Sequence, residues 1–195
     1  MPADLITNLN WVDILLIIAV IRIVYIGAKQ GFLVELAKVL GVLLGVVIAL
    51  HYYIGLSDFV VAGSPLPTGF SDLLCFSILF VIVILVFKFI REGLALIIKA
   101  EPIPFVNSWG GFLLGVLRAG IFCSAFIYIM LISGFGYIEK STWQSYSANY
   151  LVNVAPAIYS FSFKNIISRF FPNEHLNKTV FDVTSNNQSP ERKSK

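Results

Sequence analysis

"GAKQGFLVELAKVLGVLLG" occupies Gly27–Gly45. Its second half is as apolar as a bilayer interior, yet Glu35 and Lys38 stand just inside it. Ahead of it lies the apolar run 11–27, "WVDILLIIAVIRIVYIG", and the greasy part continues from Phe32 to Tyr53. Two apolar runs joined by a few polar residues form a helical hairpin in lipid, because only a helix satisfies its own backbone there. The intramembrane charges then need partners or a route to the surface.

The rest of the chain fits that reading. Of 195 residues, 57% are hydrophobic and 13% charged, where soluble domains average about 25% charged. Mean hydropathy is +0.84. A spanning helix needs about 20 mostly apolar residues. Four stretches approach or meet this, at about 11–27, 32–53, 72–90 and 111–133. The fold class is therefore all-α, a four-helix transmembrane bundle over residues 1–136. The third run, with Ser71 and Asp72 as its expected cap, continues as "KFIREGLALIIKA" with Lys88, Arg91, Glu92 and Lys99, ahead of Pro102 and Pro104. Leu73 to Ile98 would measure about 39 Å as one helix, so an amphipathic extension is expected. Residues 54–71 read as loop from their Gly, Pro and Ser content.

Residues 137–171 read as an interfacial tail. A candidate amphipathic helix there puts Tyr159, Phe163, Ile166, Ile167 and Phe170 on one face. That face could meet the headgroups or the protein's own exterior. Residues 172–195 are polar and are expected to be disordered.

The first ten residues contain no Lys or Arg, so the first run is expected to be a retained span, not a secretory signal. In the short loops basic residues gather at one end: Lys29 with Arg22 and Lys38 flanking it, then Lys88, Arg91 and Lys99. The tail carries Lys140, Lys164, Arg169, Lys178, Arg192, Lys193 and Lys195, but long tails largely escape the charge rule. The loop after the second run has none. Short basic loops stay cytoplasmic, so N-out and C-out is expected. Within the hairpin, Arg22 and Glu35 lie equally far from a turn centred near Lys29 and are expected to pair, Arg118 being a further partner for Glu35. Lys38 is expected to snorkel. Ala37, Gly41 and Gly45 form one small-residue stripe, and Gly111, Gly115 and Ala119 another. The second and fourth spans are expected to pack along them.

No catalytic constellation is legible. His51 and His175 have no neighbour at metal-ligand spacing, and Cys75 and Cys123 sit in apolar runs as small hydrophobes. Asn177-Lys178-Thr179 and Asn187-Gln188-Ser189 read as chance sequons. No enzyme activity, cofactor, metal or nucleic-acid partner is expected. The expected partners are the bilayer and another membrane protein or a second copy of the chain.

Two motifs carry a resemblance. Trp11 and Asp13 open the first span, which leads into Gly27, Gly31, Phe32 and Glu35. Asn107, Gly111, Gly115 and Arg118 stand at the head of the last span. This arrangement resembles the colicin V production protein family over about residues 8–160, with Val34, Ser108 and Ala119 departing from its pattern. The resemblance implies a multi-pass bacterial inner-membrane protein with no catalytic residue, supporting toxin production or export, or envelope function. The alternative class is an oligomeric small channel or transporter subunit, in which Arg22, Glu35, Lys38 and Arg118 would line a polar path.

Overall fold

The computed structural model describes residues 10–97 and 104–185. Four long helices form the bundle: α1 Trp11–Gln30, α2 Phe32–Gly63, α3 Thr68–Ile97 and α4 Pro104–Ile132. Each is long and apolar enough to cross a membrane. Their apolar flanks face outward. Ile14, Ile18 and Ile21 on α1, Ile78 and Ile82 on α3, and Leu113 and Leu117 on α4 are all exposed. In water that surface would be untenable; in lipid it is ordinary.

α1 begins with a capping box, Asn10 accepting from the first turn while the Asp13 side chain accepts from the Asn10 N–H. Such reciprocal capping satisfies N–H groups that a helix start leaves orphaned. α2 runs on for 32 residues, about 48 Å at 1.5 Å each, so it outruns the bilayer core. The expected loop at 54–71 is therefore corrected: helix persists to Gly63, and α3 starts at Thr68 instead of at a Ser71–Asp72 cap. The break comes from prolines. Ser64 precedes Pro65 and adopts φ −147°, ψ 154°, because a residue before proline avoids helical geometry. Ser71 N–H then bonds the Pro67 carbonyl as α3 opens. Gly55 does not interrupt α2.

At the end where α1 starts, four short helices follow α4: α5 Gly136–Trp143, α6 Tyr146–Leu151, α7 Val154–Ser162 and, after a π-helical stretch at Phe163–Ile167, α8 Ser168–Phe170. A last helix, α9 Thr179–Thr184, comes after an extended link. The main core joins this tail to the bundle. Val46, Leu50, Tyr53, Phe76 and Tyr128 pack in one cluster with Ala155, Tyr159, Phe163 and Val180. Inside it, Tyr53 and Tyr128 share a 2.8 Å hydroxyl contact, which satisfies two polar groups that burial alone would penalise.

Two expectations for the tail change accordingly. Tyr159 and Phe163 are buried on the protein itself, while Ile166 and Phe170 are exposed, so only the far end of the expected amphipathic face is free to meet headgroups. Residues 172–185 are not disordered. Val180 is fully buried, and Asn177 donates through Nδ2 to the Leu50 carbonyl at 2.8 Å. Lys99, Pro102 and residues 186–195, with the second sequon, lie outside the described residues.

Candidate functional site

The site is a knot at the end of the bundle where α1 turns into α2 and α4 begins. Gly31 makes the turn with φ +84°, the left-handed region that favours glycine. A Cβ there would also run into the Asn107 side chain. That space is filled because Asn107 Oδ1 accepts the Phe32 N–H at 2.7 Å, so α4 caps the first turn of α2 from far away in sequence. Phe32 in turn lies over Gly110, where a Cβ would stand 2.7 Å from its ring.

Gly27 and Gly111 then bring the α1 and α4 backbones into contact. A Cβ on Gly27 would lie 2.8 Å from the Gly111 carbonyl oxygen and 2.9 Å from Gly115 Cα. One on Gly111 would strike the Gly27 carbonyl. Gly27 with the turn residue Gly31, and Gly111 with Gly115 on α4, thus share the Gly-x-x-x-Gly spacing that allows such approach in lipid.

The close approach makes room for Glu35. Its carboxyl carbon stands 3.2 Å from where a Gly27 Cβ would be, and the residue is fully buried. Arg118 Nε reaches its Oε1 at 2.7 Å, and Lys38 Nζ reaches its Oε2 at 3.5 Å. Lys38 also donates to Gln30, and Arg118 donates to the Ile23 carbonyl at 3.3 Å. The carboxylate holds two cations, and each cation has a second acceptor. The Arg118 Nε–Glu35 Oε1 contact is an ion pair without hydrogen-bond alignment, neither atom having a hydrogen-bond partner among the described residues. It is the opposite charges that make the carboxylate tolerable in a low-dielectric interior.

Two expectations fail here. Arg22 is exposed on α1; among the described residues Glu35 pairs with Arg118 and Lys38 instead. Lys38 does not simply snorkel, since it closes the same knot. The reason for the first is rotational. Arg22 sits about 140° round the helix from Gly27 at 3.6 residues per turn, so it shares Glu35's depth but faces away from α4.

The small-residue stripes also meet partners other than each other. A Cβ on Gly41 would lie 2.9 Å from Phe87 Cβ, and one on Gly45 3.0 Å from the Phe80 ring. The Gly41 and Gly45 stretch of α2, which Ala37 extends, therefore seats α3 aromatics. Gly111 and Gly115 serve α1, while Ala119 is buried farther along α4. α2 and α4 do meet, through Glu35–Arg118 and Tyr53–Tyr128, but not along the paired stripes.

Asp13 works at the opposite end. Its Oδ1 accepts from Ser145 Oγ and from the Ser147 N–H, both at 2.8 Å. This buried carboxylate fastens the start of α1 to α6. Trp11 beside it is partly exposed. A third polar tie escaped sequence reading. His51 Nδ1 lies 2.9 Å from the Tyr159 hydroxyl and Nε2 lies 3.1 Å from Glu174. Tyr159 also accepts the Asn177 N–H at 3.0 Å, and burial pushes its phenol above the usual range, keeping it a protonated donor. His51 is thus a tail anchor. The Asn10-x-x-Asp13 spacing was a visible capping signal; nothing local to His51 announces Glu174.

Among the described residues, no group of three or more His, Cys, Asp or Glu side chains could hold a metal ion. Cys75 and Cys123 are buried free thiols.

Four spans, glycine-mediated contacts and polar groups joined pairwise define a multi-pass membrane protein built on a compact helical knot. The profile of the colicin V production protein family matches residues 12–156, which takes in both glycine motifs. The chain belongs to that family. It is also similar to the uncharacterized transmembrane protein YshB of Bacillus subtilis strain 168, with 23% identity over 161 residues, 74% of this chain and 90% of that one. No solved structure matches it.

Proposed function

We propose that this protein is a non-enzymatic scaffold of the bacterial inner membrane that supports production or export of a peptide toxin, or envelope function more broadly, through a membrane protein partner. One observation carries the choice of scaffold over channel. Glu35 is paired with Arg118 and Lys38 at one end of the bundle and Asp13 with Ser145 at the other, and between them lie the apolar side chains Val46, Leu50, Phe76 and Phe80. A conduction pathway needs polar groups left to the ion. The family's description supplies the toxin, and the broad lipid-facing apolar surface of α1 and α3 supplies room for a partner.

A photo-crosslinking side chain at Ile18 or Ile82, both exposed, tests this in native membranes. A discrete adduct with a second membrane protein is expected, and purified protein in planar bilayers should pass no current above lipid alone. A stepwise current that disappears on changing Arg118 would replace the scaffold by the channel.

For orientation we propose N-out and C-out, supported by Lys29, Lys38, Lys88 and Arg91 in or beside the short loops at the knot end. Lys140, Lys164, Arg169 and Lys178 at the other end belong to the long tail, which largely escapes the charge rule. Single cysteines at Lys29 and Asp58, both exposed, separate the two orientations. A membrane-impermeant maleimide on intact cells should label position 58 and spare 29; the reverse pattern inverts the topology.

A further inference from the structure

Beside the knot, α2, α3 and α4 leave an open cleft of about 180 Å³. Lys38, Lys88, Arg91 and Arg118 line it together with Gly41 and Phe87, and among the described residues no acidic side chain does. The charges around it do not balance. Glu35 is shared between Arg118 and Lys38. Lys88 and Arg91 meet only Glu92 among the described residues, at 4.0 and 3.8 Å, and that carboxylate is 53% exposed. Four cations therefore face two carboxylates, one of which is turned to the outside. Such an excess of cations at the edge of a bilayer attracts anionic headgroups.

The surroundings indicate which anion. Arg91 and Lys88 stand three residues apart on one face of α3, opposite Lys38 and Arg118, and guanidinium groups bind phosphate oxygens through two parallel hydrogen bonds. The same helix presents Leu85, Val86, Phe89 and Ile90 to its exterior, a wall on which acyl chains can lie. Free phosphate would use the cations and ignore that wall. A folded peptide segment would not fit the space.

We propose that this cleft holds the phosphate of an anionic membrane phospholipid, with Lys38 and Arg118 on its inner wall and Lys88 and Arg91 on its outer wall. The site lies beyond the scaffold reading and stands whether or not a toxin is involved. It makes the protein selective for anionic lipid at its basic end, and it ties α3, whose Phe87 packs on Gly41, to the α2–α4 pair.

The test uses the full chain in detergent, exposed in turn to phosphatidylglycerol and to phosphatidylcholine and read by native mass spectrometry. Phosphatidylglycerol should be retained at least about tenfold better, and Lys88→Gln/Arg91→Gln should lower its retention about 25-fold, since each basic group near anionic lipid contributes a factor of about five. Neither residue touches Glu35, so the thermal midpoint without lipid should stay at the wild-type value; the wild-type comparison of the two lipids needs no variant at all. Equal retention of both lipids would overturn the site, as would unchanged phosphatidylglycerol retention in the variant. Inorganic phosphate competing as strongly as the lipid would reassign the cleft to a free anion. An acidic protein lost from the variant while lipid retention persists would make it a protein dock.

Discussion

Gly111→Leu is expected to remove the folded protein from the membrane, whereas Gly120→Ala on the same helix should leave it unchanged. The difference lies in what the added atoms meet. A Cβ on Gly111 strikes the Gly27 carbonyl and lies 3.1 Å from Gly31 Cα. These are backbone atoms of another helix, so no rotamer change relieves the clash and the helices must separate. Separation would also pull Asn107 from the Phe32 N–H and open the pocket around Glu35. Around Gly120 there is nothing within 4 Å of the added atom.

The effects should be graded. A Cβ on Gly115 would lie 3.3 Å from Val24 Cα, tight but short of collision, so Gly115→Ala should cost less than Gly111→Ala. Overpacking costs about 1–3 kcal/mol and at times more, and about 3 kcal/mol lowers the midpoint of a chain this size by roughly 6–12 °C. Gly111→Ala should fall in that range when the midpoint is measured on detergent-solubilised protein. Equal midpoints for Gly111→Ala and Gly120→Ala would mean that α1 and α4 do not touch there.

The second large effect concerns the buried carboxylate. Glu35→Ala leaves the Arg118 and Lys38 cations facing each other at membrane depth, with only a carbonyl and an amide oxygen as acceptors. Breaking a buried pair by removing one partner typically costs about 3–5 kcal/mol, while replacing both partners with apolar residues is often near neutral. Glu35→Ala and Arg118→Ala should therefore each reduce accumulation strongly, and Glu35→Leu/Arg118→Leu should recover part of it, Lys38 keeping Gln30 as its acceptor. Arg22→Ala should be close to silent, because its side chain is exposed and meets neither partner. A stable but inactive double variant would assign the pair to function; a stable, active one would assign it to architecture.

The contrast between Arg22 and Arg118 marks where sequence reading stops. Hydropathy located all four spans because about 20 apolar residues have no other stable home, and the charges inside them were visible as exceptions. Depth could be read from distance to the hairpin turn, which made Arg22 a fitting partner. Which way a side chain points round its helix is set by tertiary packing, and Arg22 points away from the knot. The small-residue stripes failed for a related reason. Gly41 and Gly45 announce close packing, but a glycine face receives a Phe80 or Phe87 ring as well as another glycine. The family motifs drew attention to Gly27, Gly31, Asn107, Gly111, Glu35 and Arg118 while leaving open that they come together in one place.

The tail was the least legible part. From Pro172 onward polar residues dominate, and composition alone reads as disorder. What orders residues 174–184 is a set of isolated anchors: Glu174 on His51, Asn177 on the Leu50 carbonyl and Val180 in the core. None has a periodic signature. The cation-lined cleft is similarly dispersed, its Lys38, Lys88, Arg91 and Arg118 coming from three helices whose mutual rotation no single-helix pattern encodes.

The central claim is that the two glycine motifs close into one knot around a Glu35–Arg118 ion pair. A double-mutant cycle on thermal unfolding in detergent tests it most directly, comparing Glu35→Leu with Arg118→Leu and, in parallel, Glu35→Leu with Arg22→Leu. Contacting residues couple by about 0.5–3 kcal/mol, and independent sites add within about 0.5 kcal/mol. The Glu35–Arg118 cycle should show coupling at the upper end of that range, and the Glu35–Arg22 cycle should be additive. Additivity between Glu35 and Arg118, or strong coupling between Glu35 and Arg22, would contradict the knot.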